Sequence, residues 1–136
     1  MGVPQVVSVG AVDMVNFGPM DSVPEKFRGR NLYKHNPMIT LMRTTTLENK
    51  EIGHVIAEKL SAAKGPATIM LPLKGVSGID AEGEPFYGPE EDKMLFDAIR
   101  SEVNRDVVDL EEFDLHVNDK EFAEAAAQKL IDLMQA

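Results

Sequence analysis

Residues 38–72, MITLMRTTTLENKEIGHVIAEKLSAAKGPATIMLP, decide the fold. A short apolar run from Met38 to Arg43 gives way, at three threonines, to a segment in which Ile52, Val55, Ile56 and Leu60 recur at helical spacing. Gly65-Pro66 closes that segment, and a second apolar run follows from Ala67 to Pro72. Apolar runs of roughly 4–8 residues bounded by turn signals read as buried strands, and the stripe between them reads as an amphipathic helix. Thr45 and Glu48 form a capping-box pair, so the helix start is marked by its own chemistry. Strand, helix, strand in that spacing predicts an α/β domain built on a parallel sheet.

Upstream, Pro4–Val9 (PQVVSV) is a further strand. Downstream, Gly88-Pro89 opens a second helix carrying Leu95, Ala98, Ile99 and Val103. DVVDLEEFDLHV, residues 106–117, is a fourth extended segment, bent near Glu111 and Glu112. Asn118 with Glu121 starts a third helix striped by Phe122, Ala126, Leu130 and Leu133. The expectation is one α/β domain over residues 1–136: an open parallel sheet of about four strands with three flanking helices, a Rossmann-like half with right-handed crossovers. Two connections, residues 10–37 and 73–88, far exceed the roughly 2–6 residues usual in such folds, which suits binding loops. The first has apolar anchors and a short helical turn expected at Pro24–Phe27.

Composition narrows the function classes. Within 136 residues there is no cysteine, which removes disulfides, thiolate metal sites and cysteine nucleophiles and suits a reducing, cytoplasmic setting. No apolar run approaches the roughly 18 residues of a membrane span, and the N-terminus does not resemble a signal peptide. A net charge of −9 argues against general nucleic-acid binding. The charge is uneven: residues 1–50 hold six Lys or Arg against four acids, while the remainder holds eight against nineteen. Between Lys26 and Arg43 lie Lys26, Arg28, Arg30, Lys34, His35 and Arg43 with no acid among them, a local positive field suited to a phosphate or carboxylate.

In an open parallel sheet, ligands sit beyond the carboxyl ends of the strands. That rule places Gly10, Asp13, Asn16, Arg43, Thr44, Thr45, Lys74, Gly75, Ser77 and Asp80 along one rim, with Arg28, Lys34 and His35 as basic neighbours. Thr44–Thr46, where a strand turns directly into a helix, is the local phosphate candidate, because free N–H groups and hydroxyls converge there. No P-loop and no dinucleotide fingerprint is present. GVSGI, residues 75–79, is one residue short of a nucleophile elbow, and Ser77, Asp80 and His116 follow a triad order without the helix such an elbow requires. The three histidines are too scattered for a metal motif. Asp13 and Asp80 could hold Mg²⁺ beside a polyphosphate.

Four blocks, PQVVSVGAVDMVNFGP, VPEKFRGRNLYKHNPMITLMRTT, PLKGVSGIDAEGEPFY and HVNDKEFAEAA, resemble the C-terminal part of the tomato mosaic virus resistance protein family, a Tm-one-like ATP-binding and otherwise uncharacterised family. The resemblance implies a longer two-lobed α/β protein, ATP binding, self-association and, in the plant member, recognition of a viral replication protein. It further implies that this chain lacks the family's N-terminal lobe. Together with the rim, it suggests a domain binding a nucleotide or other phosphorylated small ligand, with ATP and Mg²⁺ as cofactors and a homo-oligomeric state. The alternatives are a hydrolase or transferase acting on a small phosphorylated or carboxylated metabolite through Ser77, His116 or Asp13, and an assembly module with no ligand of its own.

Overall fold

A computed structural model describes residues 2–136. Its α/β class, parallel sheet and three helices are those expected from the sequence, and the difference lies in where one strand pairs. The parallel sheet has three strands in the order β1 (Gln5–Val7), β5 (Ala67–Pro72), β6 (Val108–Phe113). β5 is central and buried at all six positions. Its register sets Gln5 and Val108 opposite Ala67, so alternate residues of all three strands share a face.

α1 (Thr46–Ser61) and α2 (Pro89–Glu102) pack against each other on the face carrying Ala67, Ile69, Leu71 and Val108, and their apolar stripes close the main core around Leu60, Leu95 and Ile99. Gly53 lets the two helices approach closely: a Cβ there would lie 2.7 Å from Ala98 Cβ and 2.8 Å from the Leu95 carbonyl. α3 (Lys120–Gln135) covers the opposite face. Phe122 stacks edge-on against Phe113, and Lys129 reaches Glu111 at 3.0 Å and Asp109 at 3.6 Å. The start of α3 differs from the expected pairing of Asn118 with Glu121. Asp119 is the N-cap, and its carboxylate accepts from the His116 N–H instead of capping the helix. β6 runs unbroken through Glu111 and Glu112, and the chain leaves extended structure after Phe113.

The expected second strand, β4 (Ile39–Arg43), is not in the parallel sheet. It is the centre of a separate antiparallel sheet, between β2 (Met14–Phe17) and β3 (Leu32–Asn36), both drawn from the segment expected to be a loop. Met14 pairs with Arg43, and Leu32 with Met42. The reason is burial. β4 is covered on both faces, with residues 40–43 all buried, and therefore shows the continuous apolar run usually diagnostic of a parallel strand. One face meets the connection between β3 and β2, where Phe17 and Phe27 pack at 5.9 Å near a 3-10 turn at Glu25–Phe27. The other meets residues 73–88, where Tyr33 lies edge-on to Phe86 at 6.3 Å.

Candidate functional site

Arg43 organises the junction between the two sheets. Its side chain is 5% exposed, and Nε donates to the Phe86 carbonyl at 2.9 Å. Nη2 reaches Asp92 Oδ1 at 2.9 Å, Asp80 Oδ1 at 3.3 Å and the Gly88 carbonyl at 3.3 Å. Asp80 is fully buried and also accepts from the Val76 N–H and the Gly88 N–H, each at 3.0 Å. The long 73–88 connection is thus folded onto one carboxylate, and that carboxylate onto one guanidinium. Gly75 makes the fold of this connection possible. Its φ of +139° suits glycine, and a Cβ there would collide with the Asp80 carbonyl.

Asp13 and Ser77, far apart in sequence, meet inside this junction. Ser77 Oγ donates to Asp13 Oδ2 at 2.6 Å, and Asp13 Oδ1 is buried with no hydrogen-bond partner among the described residues. Burial pushes the Asp13 carboxyl above the usual carboxylate range, against the pull of Ser77 and Arg43. His116 reaches the same loop, but through backbone: the Asn118 N–H donates to Nδ1, so Nε2 bears the hydrogen and donates to the Ser77 carbonyl at 2.8 Å. Ser77, Asp80 and His116 are therefore neighbours that do not form a triad. The serine hydroxyl faces an aspartate, and the imidazole faces carbonyls.

Two clefts border the junction. One, of about 330 Å³, lies at the N-terminus of α1 and is lined by Arg30, Asn31, Arg43, Glu91 and the three threonines 44–46. Here the capping box is complete: the Thr45 N–H donates to Glu48 Oε1 at 2.9 Å, and the Glu48 N–H donates to Thr45 Oγ1 at 3.2 Å. Partial burial pushes the Glu48 carboxyl up, but the Thr45 N–H and Arg30, 2.5 Å away, outweigh it and hold the group below its ordinary value. Thr44 is internal; its hydroxyl donates to the Val12 carbonyl and accepts from Asn49 Nδ2. The other cleft, about 310 Å³, is mainly apolar. Met14, Ile39, Leu41 and Ile79 form its walls, and Asn16, His35 and Gly78 add polar groups.

The rim read from the sequence thus divides. Asn16 and His35 share the apolar cleft; Arg43, Thr44 and Thr45 border the cleft at α1; Asp13, Gly75, Ser77 and Asp80 lie beneath both, in the interior. Gly10 and Lys74 are exposed, Lys34 is exposed on β3, and Arg28 turns back onto the Val23 and Asp21 carbonyls. Asp92 and Asn49 were not singled out. Asp92 carries a legible signal, since it sits three residues before Leu95 on the apolar face of its helix, where a carboxylate requires a buried cation. Among the described residues no group of three or more His, Asp or Glu side chains is placed to hold a metal ion.

Residues 1–134 match the family model for the C-terminal domain of the uncharacterised protein family UPF0261. The chain belongs to UPF0261. This UPF0261 domain is 60% identical over 135 residues to a UPF0261 protein of Clostridium tetani, covering 99% of the chain and 33% of that protein. It is 48% identical over 131 residues to a UPF0261 protein of Rhizobium meliloti, covering 96% of the chain and 33% of the relative. It is 41% identical over 132 residues to the ToMV resistance protein Tm-1(GCR237) of Solanum lycopersicum, covering 96% of the chain and 18% of that protein. The UPF0261 domain therefore spans about a third of the length of its bacterial relatives, and the resemblance drawn from the four sequence blocks holds.

Proposed function

We propose that this domain binds a small phosphorylated ligand, with a nucleotide such as ATP foremost. The observation that carries the reading is the cleft at the start of α1, where Arg30, Arg43 and three consecutive threonines meet the positive end of a helix. Arg43 is committed to Asp80, Asp92 and two carbonyls. Arg30, which is partly exposed and paired with Glu48 and the Arg43 carbonyl, is then the cation that an entering anion would draw away from Glu48. Glu91, on the same cleft, opposes an anion. The apolar cleft beside Asn16 and His35 has the character of a site for a ring or other apolar portion of a ligand.

The fit to Mg²⁺ is poor on the protein side. Asp80 already accepts from two N–H groups and a guanidinium, and Asp13, although its Oδ1 has no partner, is fully buried and pushed by that burial toward its neutral form, so neither of the carboxylates expected to hold the ion suits it. A cytoplasmic location is part of the same proposal; among the described residues, no helix is long and apolar enough to cross a membrane.

The test is calorimetric titration of the chain, and of a full-length relative, with ATP, other nucleotides and inorganic phosphate. Binding that weakens with salt and with Arg30→Gln, and tightens with Glu91→Gln, is expected. Absence of binding for every phosphate compound at millimolar concentration in both proteins would overturn the reading and favour an assembly role.

A further inference from the structure

We propose that Arg43, Asp80 and Asp92 form an internal latch that fastens the 73–88 segment to β4 and α2, and that the latch opens with release of a proton. It does not depend on the identity of any ligand. The three side chains come from three separate elements and are each at least nine-tenths buried. One guanidinium faces two carboxylates, so with both ionised the cluster would carry an uncompensated negative charge in a low-dielectric interior, which is strongly unfavourable.

The hydrogen bonds say where the proton resides. Asp80 accepts from Arg43 and from two backbone N–H groups, three donors that favour its ionised form. Asp92 is the weaker-held carboxylate: Arg43 Nη2 is its one cationic donor, and its other side-chain partner is the Asp80 carboxylate itself. Burial first, and then the adjacent Asp80 carboxylate, push Asp92 up to about 8 against the pull of Arg43. Among the described residues, the surroundings offer no second cation to offset the charge. Asp13 adds a third carboxylate, Glu91 lies beside Gly88, Arg30 is paired with Glu48, and His116 contacts Asp80 only through its carbonyl.

The consequence for the molecule follows from what the segment carries. Gly78 and Ile79 form part of the wall of the apolar cleft, and the ends of their segment are tied by the latch. In the opened form Asp92 meets water and returns to the ordinary aspartate range near about 4. Opening is then linked to loss of one proton between about pH 4 and about pH 8: the opening constant rises by up to about tenfold per pH unit across that window and levels above it.

Hydrogen exchange at the Val76 and Gly88 amides, both bonded to Asp80, reads this directly. After correction for intrinsic exchange, the wild-type protection should fall by up to about tenfold per pH unit from about pH 5 to about pH 8 and then level. Asp92→Asn, which keeps an acceptor for Arg43 and a donor for Asp80, should give a flat profile. A flat wild-type profile, or a slope unchanged in Asp92→Asn, would overturn the latch. Should that variant fail to fold, carbon NMR titration of the Asp92 carboxyl in the wild type decides instead: a midpoint near about 8 supports the proposal, and an ordinary aspartate midpoint overturns it.

Discussion

At the scale of single residues, the chemistry is concentrated where a positive rim was expected and is organised in the opposite sense. Arg43 was legible as a cation beside a helix start and Asp80 as a residue of the same rim, but the direct pairing of Arg43 with Asp80 and Asp92, which lie 37 and 49 residues away, was not. Its role in the fold gives a clear expectation. Arg43→Gln leaves the buried Asp80 carboxylate without its cation and removes the donor to Asp92, and should cost on the order of 3–5 kcal/mol in urea unfolding near neutral pH, a loss that added salt does not mimic. Gly75 shows the same dependence on distant partners. The glycine was readable as a place for positive φ or close approach, and both apply: Gly75→Ala should destabilise by roughly 1–3 kcal/mol because the new Cβ strikes the Asp80 carbonyl.

At the scale of elements, the helices were readable because each carries a sustained stripe and, for α1 and α2, a start signal that the structure uses. Thr45→Ala should remove the capping box and cost about 1 kcal/mol by thermal or urea unfolding. The strands were less readable for a physical reason. MVNF and LYKHN flank β4 as short, partly exposed partners, so they lack the dense apolar composition that reveals a buried strand, and only pairing with Ile39–Arg43 makes them strands at all. Packing between elements was less legible still. Gly53 lies in an exposed-looking helical repeat, yet it is buried where α1 and α2 pack closely. Gly→Ala within a helix ordinarily gains close to 1 kcal/mol, but here Gly53→Ala should instead destabilise by about 1–3 kcal/mol, because the Leu95 backbone stands in the way.

At the scale of the whole molecule, β1 and β6 each leave one edge of the parallel sheet unpaired among the described residues. Such edges favour association, and a homo-oligomer is expected in sedimentation at micromolar concentration. A single species at the 15.0 kDa chain mass would contradict it. The connections that read as overlong loops prove to be what joins the molecule: one supplies a second sheet and the other ties that sheet to α2. The order in which this can happen during folding is constrained. Arg43 reaches its partners only after the antiparallel sheet, the 73–88 segment and α2 all stand in position, and such contacts between remote stretches of chain form after local ones. The Arg43 cluster should therefore be absent from the folding transition state. In stopped-flow chevrons, Arg43→Gln would accelerate unfolding by nearly the whole of its equilibrium effect and leave the refolding limb where it was, so that this one side chain governs how long the native molecule lasts and not how fast it is made.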